Sequence, residues 1–166
     1  MPRVYRLIKE RFLDTPLAGG SAKRGERWNP VGVDVLYTSS SPELALVEVL
    51  ANLMPIRLDE LPTYYLITIH LPNEQALKVY RVDQLPPDWN TPVRTTQLQT
   101  FLGEWLTGTR ELAVALPSAV VPFSTNVILH RSHAAFEQVS VESIQPFTVD
   151  GRLVLPTNYG PLSEKS

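Results

Sequence analysis

Glu48 is the acidic residue of this sequence whose setting most favours chemistry. It lies mid-helix between Val47 and Val49, with Leu44 and Ala51 adjacent on the helical surface. A carboxylate on an apolar surface is rarely fully buried unless it is paired. Glu48 could therefore reach solvent at the edge of this face, or it could be a catalytic carboxylate aimed into a cleft. The helix alone leaves both interpretations equally open.

A second candidate is the segment RGERWNP, residues 24–30. Gly25 and Pro30 interrupt helices and strands, so the segment is predicted to be a loop. The guanidinium of Arg27 is planar, permanently charged and suited to phosphate or carboxylate, and an indole offers a flat face for stacking. This combination suits a flat, anionic ligand. Trp28 is nevertheless expected to pack beneath the loop, because tryptophan side chains are usually largely buried.

Tyr37 and Arg6 are two further polar candidates on predicted strands. Tyr37 ends the strand before the Glu48 helix, and such strand-to-helix turns commonly build sites, although a lone tyrosine is more often core or rim. Arg6 shares a strand face with Val4 and Ile8 by alternation. An arginine on an apolar face usually has an anionic partner, so the strand by itself favours a structural ion pair.

Three other chemistries are poorly supported. The chain contains no cysteine, which excludes thiol nucleophiles, disulfides and thiolate metal sites. His130 and His133 are spaced HxxH, which does not match the zinc-binding helix motif and lacks acidic ligands, so no metal is expected. Ser118 has no Gly-x-Ser-x-Gly motif around it, so serine-hydrolase chemistry is not indicated.

The composition predicts one globular domain of 166 residues, with 43% hydrophobic and 19% charged residues. A net charge of −2 argues against direct binding to a nucleic acid duplex, which normally requires a basic excess. The N-terminus lacks the apolar core of a signal peptide, and no apolar run approaches the length of a membrane span. We therefore expect a cytoplasmic protein without a membrane segment.

The residues above must be positioned by short elements of an α/β (α+β) fold. Residues 1–156 are predicted to form the domain, and residues 157–166 a loose polar tail. The predicted strands cover residues 3–8, 33–39, 63–71, 76–82, 112–116, 126–130 and 143–149. Strands and helices do not alternate regularly, so a doubly wound sheet is not expected.

One helix is predicted at residues 41–53, with Ser41 as its N-cap and Pro42 at its first position. A second should follow Pro92, where one apolar face is formed at i, i+3, i+4 and i+7 by Leu98, Phe101, Leu102 and Trp105. Residues 13–32 are predicted to be a long loop. Such a loop in a compact domain suggests function.

Taken together, these segments resemble the RES domain, a family named for its arginine, glutamate and serine. The resemblance is carried by an early YR, then RWNP, LYTS, SPELALVEVL and PS, and an Asn-led strand that closes on a His. It runs from Val4 to about Phe136. RES domains are typically toxins of bacterial toxin–antitoxin pairs that consume NAD, and their fold is similar to that of ADP-ribosyltransferases.

The resemblance also implies which residues form the site. The matched positions are the family's arginines, site tyrosine, glutamate, serine and an earlier asparagine, here Arg6 and Arg27, Tyr37, Glu48, Ser118 and Asn126. His133 matches the family's histidine. His130 and Arg131 stand where Asn and Pro are usual, so no role is assigned to either histidine.

The reaction that the resemblance implies is cleavage between nicotinamide and its ribose. Glu48 would hydrogen-bond the ribose 2-hydroxyl and stabilise an oxocarbenium-like state. Arg6 and Arg27 would hold the phosphates of NAD. Tyr37 would border the nicotinamide, and Ser118 would bond ribose or carboxamide. NAD is then a substrate, and no metal or other cofactor is required.

The implied partner is an antitoxin with an Xre-like helix-turn-helix domain, which would make any DNA contacts, and the toxin could form a homodimer within the complex. The acceptor of the ADP-ribosyl group stays open among water, phosphate and a protein side chain. A non-catalytic NAD-binding module is one alternative. A carboxylate-based glycosidase is another, but Asp34, Glu43 and Glu26 are not convincing partners for Glu48.

Overall fold

Seven strands form one sheet in the computed structural model of the chain, which describes residues 3–72, 77–108 and 110–158. They are β1 (Arg3–Lys9), β2 (Val35–Ser39), β3 (Tyr64–His70), β4 (Leu77–Val79), β5 (Ala113–Pro117), β6 (Thr125–His130) and β7 (Ser140–Phe147). The order across the sheet is β4-β5-β6-β2-β1-β3-β7. All neighbours are antiparallel except β4 and β5, which run parallel. This mixed sheet confirms that the fold is not doubly wound.

The joint between β1 and β2 is the weakest pairing of the sheet. The two strands pair at Tyr5 and Ser39, whereas β1 and β3 pair along seven residues. At the first residue of β2, the hydroxyl of Ser21 accepts from the amide of Val35 at 3.1 Å and donates to its carbonyl at 2.9 Å. The sheet therefore opens between β1 and β2. At the first residue of β2, Ser21 makes the backbone hydrogen bonds that a neighbouring strand would otherwise make.

Four α-helices lie among the described residues: α1 (Ser21–Arg24), α2 (Pro42–Leu53), α3 (Thr96–Thr100) and α4 (Gly103–Gly108). Short 3-10 helices occupy Glu10–Phe12, Leu58–Glu60, Val82–Gln84, Ala134–Gln138 and Gly151–Leu153. The α2 helix begins as predicted, because the Ser41 hydroxyl accepts from the amide of Leu44 at 3.2 Å. Leu44 and Ala45 are buried, so this side of α2 packs on the sheet.

The helix predicted after Pro92 is broken into α3 and α4, which Phe101 and Leu102 separate. Its apolar face is nevertheless confirmed, since Leu98, Leu102 and Trp105 are each at most 3% exposed. The break precedes Gly103, and glycine is among the poorest helix formers. Both short helices still cover one core, which also contains Trp28.

Other boundaries differ from the sequence prediction. The loop predicted at residues 13–32 contains α1, and the predicted strand at 143–149 is shifted to Ser140–Phe147. The strand predicted at 76–82 is limited to β4, with residue 76 outside the described part of the chain. Most of the predicted tail, residues 159–166, also lies outside it. No helix in the described ranges is long and apolar enough to span a membrane.

Candidate functional site

The Glu48 side chain, which extends from α2, is oriented by hydrogen bonds from two neutral side chains. Its Oε1 accepts from the hydroxyl of Ser118 at 2.7 Å and from the amide Nδ2 of Asn126 at 2.5 Å. No described residue hydrogen-bonds its other oxygen, Oε2. The carboxylate is thus not simply a solvated residue at the edge of a helix. One oxygen is fixed by the protein, and the other can accept a hydrogen bond from a ligand.

Ser118 orients Glu48 from a fully buried position at the end of β5. Its Oγ accepts from the amides of Val120 at 3.1 Å and Val121 at 2.9 Å. Because both backbone groups are donors, the single hydroxyl proton must point to Glu48. The serine therefore connects the turn after β5 to the carboxylate, and its contacts are with the protein.

Asn126 reaches Glu48 through the register of β6 on β2. Its partner across the strands is Ser39, whose hydroxyl donates to Asn126 Oδ1 at 2.9 Å. With Oδ1 accepting from Ser39, the amide NH₂ is directed to the Glu48 carboxylate. Ser39 was not among the residues predicted from the sequence. Strand alternation from Tyr37 was the signal that could have placed it on this face.

Arg27 lies in a tight turn in which the amide of Glu26 donates to the carbonyl of Asn29 at 3.0 Å. Its Nη1 donates to the carbonyls of Trp89 at 2.8 Å and Thr91 at 2.7 Å. No described residue accepts from its Nε or Nη2. The guanidinium is thus fixed along one side, while its other edge can bind an oxyanion through two parallel donors.

The charges around Arg27 link it to Glu48. Burial lowers the pKa of Arg27 and the nearby Arg94 lowers it further, whereas the negative charge of Glu48 opposes both effects. The guanidinium is therefore close enough to Glu48 to be affected by its charge, and the amide of the adjacent Trp28 donates to the Tyr37 hydroxyl. The structure brings together Arg27, Tyr37 and the Glu48 network on one side of the sheet.

Tyr37 and Asn29 hold the turn in place. The Tyr37 hydroxyl donates to Asn29 Oδ1 at 2.8 Å and accepts from the amide of Trp28 at 3.1 Å. Asn29 is completely buried, and its Nδ2 donates to the carbonyls of Ser21, Pro30 and Val33. Burial raises the pKa of Tyr37, so the phenol stays neutral. Trp28 is buried beneath the loop, as predicted.

Asn29 is the residue that the sequence analysis missed in this turn. Only its position beside Trp28 in RGERWNP distinguished it. Gly25 is a second constraint on the same turn, because its φ of +67° is a conformation that favours glycine. A Cβ at Gly25 would also lie 3.1 Å from the Asn29 carbonyl oxygen. The turn is thus specified by buried hydrogen bonds and backbone geometry.

Arg6 is not brought together with Glu48. It lies on the strand face that it shares with Val4 and Ile8, as alternation predicts, and those two residues pack in one core cluster. Leu7, on the opposite face of β1, packs in the cluster that includes residues of α2. The Arg6 side chain therefore lies on one face of the sheet, whereas α2, which carries Glu48, packs on the other.

The guanidinium of Arg6 binds backbone carbonyls. Its Nη1 donates to Pro16 at 2.9 Å and to Ala18 at 3.0 Å. Burial lowers the pKa of Arg6 to about 10, with Arg131 contributing in the same direction and Asp34 opposing it. Among the described residues Arg6 does not form the ion pair expected from the strand sequence, and the nearby Asp34 pairs with Arg131 instead. Arg6 thus anchors the loop that leads to α1.

His130 and His133 have structural contacts. His130 is buried; its Nδ1 accepts from the amide of Ser132 at 3.3 Å, so the proton lies on Nε2 and donates to the Leu106 carbonyl at 3.0 Å. His133 Nδ1 accepts from the amide of Ala135 and caps the following 3-10 helix. The described residues contain no cluster of three or more His, Cys, Asp or Glu side chains suited to a metal.

One surface hollow lies away from Glu48, where β1 ends. It has a volume of about 290 Å³ and is lined by Lys9, Glu10, Arg11, Pro62 and Thr63. The candidate site is defined by the polar network of Glu48, Ser118 and Asn126.

Comparisons with known proteins agree on one family. The sequence matches the RES domain over residues 3–150. It is 33% identical to the "Toxin Res" of Photorhabdus laumondii, covering 91% of this chain and 96% of that protein. The "Toxin Res" of Yersinia enterocolitica is 30% identical, covering 90% of this chain and 98% of its own length. A "Prs ADP-ribosylating toxin" of Sphingobium is 29% identical over 83% of this chain and 86% of that protein.

The fold is similar to that of a chain in the crystal structure of the M. tuberculosis MbcT–MbcA toxin–antitoxin complex. The TM-score is 0.70, with 18% sequence identity, and the similarity covers 88% of this chain and 84% of the other. At this identity the likeness is one of fold.

Proposed function

The chain belongs to the RES domain family, and we propose that it is the toxin of a toxin–antitoxin pair and that it cleaves the bond between nicotinamide and ribose in NAD. The main support for this activity is the geometry of Glu48. Its Oε1 accepts hydrogen bonds from Ser118 and Asn126, and no described residue hydrogen-bonds its Oε2. An oriented carboxylate on the same side of the sheet as an arginine suits a substrate that is cationic at its reacting end and anionic in the middle.

The barrier to this cleavage lies in forming an oxocarbenium-like ribose, because the departing nicotinamide is neutral and needs little acid assistance. Glu48 Oε2 accepts a hydrogen bond from the ribose 2-hydroxyl, and the carboxylate charge stabilises the positive charge that develops on the sugar. The hydrogen bonds from Ser118 and Asn126 orient the carboxylate before the substrate arrives. In this proposal both residues act on Glu48.

Arg27 holds the pyrophosphate through its Nε and Nη2 edge, which places the ribose against Glu48. Tyr37 borders the nicotinamide with its ring, since its hydroxyl is occupied by the turn. Arg6 acts indirectly, through the loop that it anchors. NAD is the substrate, and the proposal involves no metal or other cofactor.

The deciding experiment is incubation of the purified chain with NAD while free nicotinamide is followed. Free ADP-ribose among the products identifies water as the acceptor, and a phosphorylated ADP-ribose identifies phosphate. Absence of both cleavage and NAD consumption by folded protein would contradict the proposal and favour a binding module. A glycosidase is disfavoured because Asp34 and Glu26, two potential second acids, are paired with Arg131 and Arg94.

ADP-ribosylation of a protein is a second candidate function. It is favoured by the similarity to the Sphingobium protein named as an ADP-ribosylating toxin. This activity would use the same Glu48 and Arg27 roles, with a protein side chain attacking the ribose in place of water. Transfer of label from adenine-labelled NAD to protein in a cell extract would distinguish it from hydrolysis.

An antitoxin partner follows from the same proposal. The fold shared with a chain of a toxin–antitoxin complex supports such a partner. We propose that it carries an Xre-like helix-turn-helix domain and makes the DNA contacts, since a net charge of −2 gives this chain little attraction for a duplex. Within the complex, two copies of the toxin can form a homodimer.

Expression of the chain alone in bacteria should arrest growth and lower cellular NAD. Co-expression of the neighbouring open reading frame should restore both, because a bound antitoxin would block NAD consumption. The measurements are growth and NAD content, with Glu48→Gln as the inactive control. Unimpaired growth with unchanged NAD, despite soluble wild-type protein, would count against a toxin.

Ser118→Ala should lower kcat for nicotinamide release about 10- to 100-fold, because Glu48 loses an orienting donor and two backbone amides lose their acceptor. Ser143→Ala on β7 is the matched control and should retain wild-type turnover. Steady-state kinetics on variants with native circular dichroism spectra provide the measurement. A normal kcat for folded Ser118→Ala would show that the Ser118 hydrogen bond is dispensable.

A further inference from the structure

Beside Arg27 lies an ion pair that the mechanism above does not use. Arg94 Nη1 is 2.6 Å from Glu26 Oε2, and their side chains are 43% and 27% exposed. Glu26 directly precedes Arg27 in the turn. Arg94 follows Thr91, the residue whose carbonyl accepts from Arg27. The two arginines therefore lie on adjoining segments at one end of the site.

The charges of this group are coupled. Arg94 lowers the pKa of Arg27, and both arginines oppose the increase in the pKa of Tyr37 that burial produces. The negative charge of Glu26 raises the pKa of Tyr37 further. Two positive charges are thus held near each other with one ion-paired carboxylate, an arrangement that an additional anion would stabilise.

We propose that Arg94 is a second arginine that binds the pyrophosphate. In the absence of substrate its guanidinium is paired with Glu26, and the substrate displaces that carboxylate. This inference rests on the proposed function, because it names further residues for NAD binding. The pyrophosphate of NAD carries one negative charge on each phosphate. Arg27 binds one phosphate and Arg94 the other, and Glu26 is the competing anion. A partly exposed ion pair contributes little, so a phosphate can replace the carboxylate.

A purely structural role for the Glu26–Arg94 ion pair would have different consequences for substrate binding. If the ion pair only holds the segment from Trp89 to Arg94 against the turn, removing either charge weakens the same contact, and substrate binding becomes weaker in both variants. If Glu26 competes with the substrate for Arg94, removing Glu26 strengthens binding and removing Arg94 weakens it. The sign of the two effects separates these roles.

The test is calorimetric titration of ADP-ribose into the full chain and its Glu26→Gln and Arg94→Gln variants. ADP-ribose keeps the pyrophosphate and lacks nicotinamide, so its binding is measured without turnover. Arg94→Gln should raise Kd about tenfold, the effect of losing a hydrogen bond between charged groups. Glu26→Gln should lower Kd about threefold, because the ion pair that it removes is weak.

Matched controls come from the exposed pair of Arg152 and Asp150, whose N–O separation is 2.9 Å. Arg152→Gln and Asp150→Asn should leave the Kd for ADP-ribose unchanged. The same variants are then assayed for KM with NAD, where Arg94→Gln should raise KM and Glu26→Gln should lower it. Circular dichroism establishes that each variant is folded.

An unchanged Kd for Arg94→Gln, weakening by both variants, or no binding of ADP-ribose to the wild-type chain would overturn the inference. If wild-type protein cleaves NAD and Arg94 has no effect, the inference fails while the proposed function stands. If wild-type protein leaves NAD intact but binds ADP-ribose in an Arg94-dependent way, the proposed function fails while the pyrophosphate site stands.

Discussion

Glu48→Gln should yield a folded protein that no longer consumes NAD. Glutamine keeps the size of the side chain, and its oxygen can still accept from Ser118 and Asn126. Its NH₂ group then replaces the free Oε2, so it cannot accept the ribose hydroxyl and carries no charge to stabilise the oxocarbenium-like state. Loss of such an electrostatic contact typically lowers the rate about 100- to 1,000-fold.

The measurement is the rate of nicotinamide release, together with circular dichroism and thermal unfolding of the variant. Glu43→Gln is the matched control, since Glu43 lies exposed in the first turn of the same helix. It should retain the wild-type rate. A folded Glu48→Gln protein that turns over NAD at a near-normal rate would remove Glu48 from the catalytic role.

Arg27→Lys should damage activity nearly as much as Arg27→Ala. The guanidinium donates to two backbone carbonyls with Nη1 and leaves a second edge for phosphate. One ammonium group cannot hold both carbonyls and still offer two parallel donors. Because hydrogen bonds to charged groups contribute about 1.5–3 kcal/mol each, losing two of them should lower kcat/KM about 100-fold or more.

Steady-state kinetics with NAD provide the measurement for both Arg27 variants. Arg24→Lys serves as the control, because Arg24 is an exposed residue at the end of α1 and only three positions away. Its kcat/KM should be unchanged. Recovery of most activity in Arg27→Lys would mean that the arginine acts as a point charge and that its fork geometry is not needed.

The elements that could be predicted from the sequence are those with local causes. Ser41 and Pro42 specify the start of α2 through a cap and a fixed backbone angle. Leu98, Leu102 and Trp105 were correctly predicted to be buried, because apolar spacing reports the face that meets the core. The break at Phe101 and Leu102 was not predicted, since the apolar spacing is continuous across it.

The sequence by itself also determined the family and singled out Glu48 and the RGERWNP turn. Residue types and their order in the chain are enough to recognise the family, because this recognition does not depend on which strands pair. They could not show what each side chain contacts. Trp28 was correctly predicted to pack beneath the loop, but the burial of Asn29 at the centre of the turn was not anticipated.

Only the tertiary structure decided how the site is assembled. Ser118 and Asn126 lie 70 and 78 residues from Glu48 in the chain, and they meet it because β6 pairs with both β5 and β2 in a particular register. A slip of one residue would turn the Asn126 side chain to the other face of the sheet. Alternation predicted which residues share a face with Arg6, but packing of α2 on the opposite face separated it from Glu48. Strand pairing and helix packing join distant segments, so local sequence does not specify them.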